Sequence, residues 1–220
     1  MTELERRLGH TFAEPDLLHA ALIHRSYAAE HPSVEDNERL EFLGDAVLQL
    51  AVTDFLYATF PDLTEGEMAK VRAASVNRSE LAVIARRLGV DEAVLMGRGE
   101  ESSGGRAKDS ILADAMEAIL AAVYLDAGFE VARRIVIRHW EALIRRKAQA
   151  PGSRDWKTRY QEHLAAVGKR PEYEVEGEGP DHAKVFTAVV KVDGVVTGRG
   201  SGRSKKEAEQ DAARAAMQGG

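Results

Sequence analysis

Two apolar stretches of this chain carry acids at three- and four-residue spacing, and that combination restricts its fold more than any other feature. The first, Asn37-Glu38-Arg39-Leu40-Glu41-Phe42-Leu43-Gly44-Asp45, holds Glu38, Glu41 and Asp45; the second, Ser110 to Leu120, holds Asp114 and Glu117. Residues three and four apart share a face of an α-helix, so each set of acids points to one side. Leu40, Phe42, Leu43, Val47 and Leu48 in the first stretch, and Ile111, Leu112, Met116, Ile119 and Leu120 in the second, cover the other directions. Two largely buried helices are predicted. Like charges on one helix face cost roughly 0.2 to 0.5 kcal/mol per pair in water and more where water is scarce. A hard divalent cation held through oxygen ligands is the simplest way to offset that repulsion.

The remaining composition narrows the class. With 220 residues and 44% hydrophobic content the chain can bury a real core, as one large domain or two small ones. Its longest apolar run, Ala118 to Leu125, falls far short of the roughly 20 residues of a bilayer span, and no cationic leader precedes an apolar run at Met1. No membrane association and a cytoplasmic location are expected. Without cysteine there is no disulfide, thiolate nucleophile or zinc-thiolate site. The net charge of −6 is uneven: residues 1 to 152 carry 18 Lys+Arg against 25 Asp+Glu, whereas 153 to 220 carry 12 against 11. Lys184, Arg199, Arg203, Lys205 and Lys206 can therefore form a basic face despite the acidic total.

From Leu4 to about Arg146 the pattern is helix after helix, broken near Pro15, Pro32, Pro61 and Gly89. Gly97 to Arg106 reads as a mobile loop by its Gly and Ser content, placed as a flap beside the acids, and Asp109 or Ser110 is the expected cap of the second acidic helix. Residues 149 to 154, with Pro151-Gly152, have linker character and divide a domain at 1 to 148 from one at 155 to 220. Beyond the linker the expectation is a helix from Trp156 to Val167, strands near Tyr173-Val175, Val185-Val192 and Val195-Arg199, and a final helix from Ser204 to Met217. Asp193-Gly194 marks a tight hairpin, and Ser204 with Glu207 marks a capping box. The fold class is thus an all-α domain followed by a small α+β domain in α-β-β-β-α order.

The two halves together resemble bacterial ribonuclease III. Asn37 to Asp45 is similar to that family's signature, Asp109 to Asp114 with Glu117 and Tyr124-Leu125-Asp126 to its second acidic motif, and Leu22-Ile23-His24-Arg25-Ser26-Tyr27 to a further segment. Lys157 to Glu162, Gly179 to His182 before Phe186, and Ser204 to Gln210 resemble the double-stranded RNA-binding domain. One departure is Ala121, where many members carry Gly.

The resemblance implies an endoribonuclease that hydrolyses double-stranded RNA with Mg²⁺, for which Mn²⁺ can substitute, leaving 5′-phosphate and 3′-hydroxyl ends and processing structured RNA such as ribosomal precursor. It implies Glu41, Asp45, Asp114 and Glu117 as metal ligands, with Asp45 and Glu117 nearest the chemistry, and Glu38 positioning RNA, water or a second ion. Glu65, in Thr64-Glu65-Gly66-Glu67, is a weaker candidate. Phe42 is expected to insert into a partner subunit, giving a homodimer that cuts both strands. Thr158, Gln161, Glu162, His182, Ser204, Lys205 and Lys206 are the expected RNA contacts. Plainer readings stand beside these: neutralisation of the acids by Arg39 or Lys108, core packing for Phe42, and a non-catalytic duplex-binding protein for the whole. A carboxylate-bridged di-iron site does not fit, since no His follows Glu41 or Glu117 by three residues.

Overall fold

The computed structural model describes residues 1–149, 151, 156–179 and 184–219. Two compact units divide the chain, Met1–Pro151 and Gly152–Gly220. In the first, α1 (Glu3–Leu8), α2 (Pro15–Ala21) and α3 (Arg25–Glu30) lead into the long α4 (Glu38–Thr59). Then follow α5 (Glu65–Ser75), α6 (Arg78–Leu88), α7 (Val90–Ala93), α8 (Arg98–Ser102), a 3-10 turn at Gly105–Ala107, α9 (Asp109–Ala127) and α10 (Phe129–Ala148). None of the described helices is long and apolar enough to cross a membrane.

The core is organised around α9. From Ile111 to Val123 every residue is buried except Asp114 and Glu117, so the helix is a hydrophobic rod with two polar interruptions. Burial of that kind stabilises by roughly 1.5 to 3 kcal/mol per large side chain. Its main partner is α4, through Val47, Leu48, Ala51, Val52, Phe55 and Leu56. Gly44 makes their close approach feasible: a Cβ there would lie 1.7 Å from the carbonyl oxygen of Glu117. The start of α4 departs from the expected burial. Leu40 and Leu43 are only half-buried and Phe42 is 83% exposed, because this turn runs past the edge of the core.

Two further expectations are corrected. Neither Asp109 nor Ser110 caps α9: the N-cap is Lys108, without a side-chain cap, and the Asp109 carboxylate instead accepts from Arg86 Nη2 at 2.7 Å. The Gly97 to Arg106 segment is not an irregular loop but α8 and the 3-10 turn. Arg106 ties it down by donating from Nη1 to the carbonyls of Asp91 (2.7 Å) and Val94 (3.2 Å), contacts that composition cannot register.

In the second unit α11 (Trp156–Ala165) precedes the antiparallel sheet β1 (Glu172–Glu178), β2 (Val185–Val192) and β3 (Val195–Gly202), ordered β1-β2-β3, and α12 (Lys205–Gly219) closes it. Asp193 and Gly194 both have positive φ, 52° and 78°, the conformation a two-residue hairpin turn demands. Both helices bury against one core of Tyr160, Leu164, Ala188, Val190, Val192 and the Ala208, Ala212, Ala213, Ala216 stripe. On β3 the residues facing α12 are Gly198, Gly200 and Gly202, where a Cβ would meet α12 at 2.1 to 2.4 Å. Glycine opposite alanine lets helix and strand pack backbone to backbone.

Candidate metal centre and nucleic-acid interface

Helical spacing on α4 and α9, together with the Gly44 crossing, sets the positions of the acids. One carboxylate oxygen each from Glu41, Asp114 and Glu117 lies within 4.8 Å of the others. Asp45 is not in that trio. Both of its oxygens accept from Gln49 Nε2, at 2.9 and 2.8 Å, one turn along α4. Its charge is nevertheless felt. Burial pushes Glu117 from 4.5 up to about 8, and the negative charges of Asp45, Glu41 and Asp114 add to that rise. Burial likewise raises Glu41 and Asp114, the first also through its acidic neighbours. Three all-oxygen donors this close, held above the usual carboxylate range, are a donor set suited to a hard divalent cation.

Glu41 and Asp114 of the trio open on a cleft of about 420 Å³, where with Glu38 and Glu100 they face Arg25 and Lys108, and His24 and Asn37 stand in the wall. Glu38 sits at the rim, 3.8 Å from Arg25. Asn37 anchors the start of α4: it is buried, donates from Nδ2 to the Ala21 carbonyl at 2.9 Å, and its backbone N–H reaches Ile23 at 2.9 Å. Lys108 is engaged with Glu100 at 2.6 Å. Arg39 does not line the cleft. Glu65 lies elsewhere, lining a separate pocket with Tyr57 and Arg72. Asp126, part of the second acidic motif, has a structural task. Burial alone would raise its pKa, but donors from Glu14, His10 and Ala13 hold it below the ordinary range and pin the amino-terminal segment to α9.

Reading the sequence left two contributors to this site without a role. Gly44 inside an apolar helix reads as a tolerated defect until its neighbour is known. Arg78 stands one turn before Leu81 and Ala82 on the face of α6 that packs on α9, and its positive charge opposes the rise of both Asp114 and Glu117.

In the second unit Gln161 and Glu162 are exposed and Thr158 is half-buried on α11. Ser204, Lys205 and Lys206 are exposed where α12 begins, with Ser204 Oγ accepting from the Glu207 N–H at 3.2 Å. The Glu207 carboxylate reaches back to Arg203 N–H at 2.8 Å, one residue earlier than a capping box requires. His182 lies outside the described residues.

Comparison with known proteins matches both units. A Ribonuclease-III-like family model covers residues 14–142, and a Double-stranded RNA binding motif covers 156–219. Ribonuclease 3 of Thermobifida fusca is 54% identical, over 97% of this chain and 89% of its own length. Ribonuclease 3 of Streptomyces coelicolor is 53% identical, over 98% and 78%. The nuclease domain of ribonuclease III from Campylobacter jejuni, described for flexibility in a region involved in dimer formation, aligns at 45% identity with a TM-score of 0.60, covering 64% of this chain and 95% of that one. A nuclease-type helical unit with clustered acids, joined to an RNA-binding unit and matched along nearly its whole length, means that this chain belongs to the ribonuclease III family.

Proposed function

We propose that this chain is a divalent-metal-dependent endoribonuclease that hydrolyses phosphodiester bonds in double-stranded RNA, working in the cytoplasm on structured transcripts such as ribosomal precursor. The observation that carries this reading is the convergence of Glu41, Asp114 and Glu117 from two buried helices. These three, with Asp45 once Gln49 releases it, would hold Mg²⁺, or Mn²⁺ in its place. A bound divalent cation supplies positive charge to the phosphate and makes a nearby water acidic enough to attack. In the reaction the water oxygen bonds to phosphorus while the bond from phosphorus to the 3′-oxygen breaks, which yields 5′-phosphate and 3′-hydroxyl ends. Glu38, at the cleft rim, is placed to orient RNA or water rather than to bind the ion directly.

The second unit supplies the grip. A-form RNA is recognised by shape across its wide minor groove, and exposed Gln161 and Glu162 with Thr158 fit such a contact. Lys205 and Lys206 at the amino end of α12 suit the phosphates between grooves, where free backbone amides add to their attraction. A homodimer is supported by α4 itself: Phe42, Leu50 and Tyr57, 83%, 56% and 77% exposed, fall within about 80° of one another around the helix.

The test is incubation with a labelled RNA duplex in Mg²⁺ and again in EDTA. Cleavage in Mg²⁺ alone is expected. Binding without cleavage under both conditions would replace this reading by a non-catalytic duplex-binding protein.

A further inference from the structure

His24 and Arg25, where α3 begins, line the acidic cleft. Their geometry is built rather than incidental. His24 is the N-cap of α3, and its Nδ1 accepts from the Ser26 backbone N–H at 3.3 Å and from the Ser26 hydroxyl at 2.8 Å. That hydroxyl oxygen in turn accepts from Gly97 N–H at 3.0 Å. With Nδ1 committed as an acceptor, the ring's proton resides on Nε2, and an Nε2–H donor is what the imidazole has left to offer the cleft. Burial lowers the pKa of His24, in the direction of that neutral tautomer, while Glu100, Asp114 and Glu38 pull the other way. The wall is also tied to the α8 segment. His24 N–H donates to the Leu95 carbonyl at 3.0 Å, Leu95 N–H to Leu22 at 2.8 Å, and Arg98 N–H to the Glu30 carboxylate at 2.8 Å.

Beside His24, Arg25 has only a loose partner. Its 3.8 Å pair with Glu38 joins side chains 73% and 58% exposed, the kind of contact worth about 0 to 1 kcal/mol. Lys108 is already held at 2.6 Å by Glu100, which leaves Arg25 as the more available of the two cations in this wall. We propose that His24 and Arg25 form the wall of the cleft that receives the RNA backbone, His24 as a neutral hydrogen-bond donor to a phosphate or 2′-hydroxyl oxygen and Arg25 as a phosphate-binding cation. This rests on the nuclease reading and adds to it a reason why an acid-rich cleft accepts a polyanion in one orientation: the carboxylates take one side of the strand, and His24 with the loosely paired Arg25 takes the other.

The test uses the full chain, with cleavage of a labelled duplex followed in Mg²⁺ and binding measured separately in Ca²⁺ over a range of salt. His24→Asn keeps a residue able to cap α3 but draws the N–H donor back from the place that Nε2 holds. It is expected to lower kcat/KM about tenfold or more, the scale of a lost hydrogen bond to a charged oxygen, with thermal unfolding and Mn²⁺ affinity unchanged. His24→Gln, which can place an N–H further out, recovers part of that loss. Arg25→Ala reduces the slope of log binding constant against log salt by about one phosphate contact, and Arg25→Lys restores it. Parent-like cleavage by His24→Asn, or an unchanged slope in Arg25→Ala, overturns the proposal. A parent protein that binds in Ca²⁺ but never cleaves in Mg²⁺ refutes the nuclease reading instead, and the salt slopes still decide whether Arg25 meets phosphate.

Discussion

Glu117 is the residue on which charge and burial compete most directly. Its carboxyl has an ordinary value of 4.5 and is pushed up to about 8. Between those limits the metal-free folded chain keeps a proton that the unfolded chain has released, so stability falls as pH climbs from about 4.5 to about 8 and then levels off. Glu117→Gln removes the titrating group. The metal-free variant is therefore expected to melt above the parent near pH 9 and level with it near pH 5, as differential scanning fluorimetry would register. The same substitution should lower duplex cleavage by at least about a hundredfold, the cost of losing a positioned electrostatic group, while duplex binding holds. Equal loss of binding would remove Glu117 from the chemistry. Because ligands bind metal deprotonated, adding Mn²⁺ to the parent near pH 7 should also release a proton, readable with an indicator dye.

At the scale of elements, the crossing of α4 and α9 decides whether the acids meet at all. Gly44→Ala would set a methyl group against the Glu117 carbonyl, where backbone cannot yield. A loss of about 3 kcal/mol or more is expected by urea unfolding, with weaker Mn²⁺ binding as the helices part. Much of this level was open to inspection in the sequence. The three- and four-residue spacing of Glu38, Glu41 and Asp45, and of Asp114 and Glu117, marks one face of each helix, and Asp193-Gly194 declares its turn. What escaped depends on partners distant in the chain. Gly44 has meaning only against Glu117, and the Gly97 to Arg106 segment only against the carbonyls that Arg106 finds, whereas Asp45 is a local exception, held by Gln49 one turn away. Asp126 sits in an acidic motif yet serves the amino-terminal segment, a division of labour that spacing cannot reveal.

For the molecule as a whole the exposed stripe of Phe42, Leu50 and Tyr57 is the feature a lone chain would not keep without cost. Core packing for Phe42 is excluded by its exposure, and an isologous interface is the economical cover. Light scattering at micromolar concentration is expected to give twice the chain mass for the parent and a single chain for Phe42→Ala, with duplex cleavage lost in step. A parent at single-chain mass would refute the dimer. Two such sites related by a two-fold axis would each serve one strand of a duplex. The alternating glycines of β3 carry a different consequence. Deleting Arg199 would change the parity of the strand beyond Gly198 and present Ser201 to α12 at the place of Gly200, where no side chain fits. Evolution can lengthen the loops of this small domain, but β3 must keep its present length from Gly198 to Gly202, and the in-frame loss of a single codon there would unmake the RNA-binding unit.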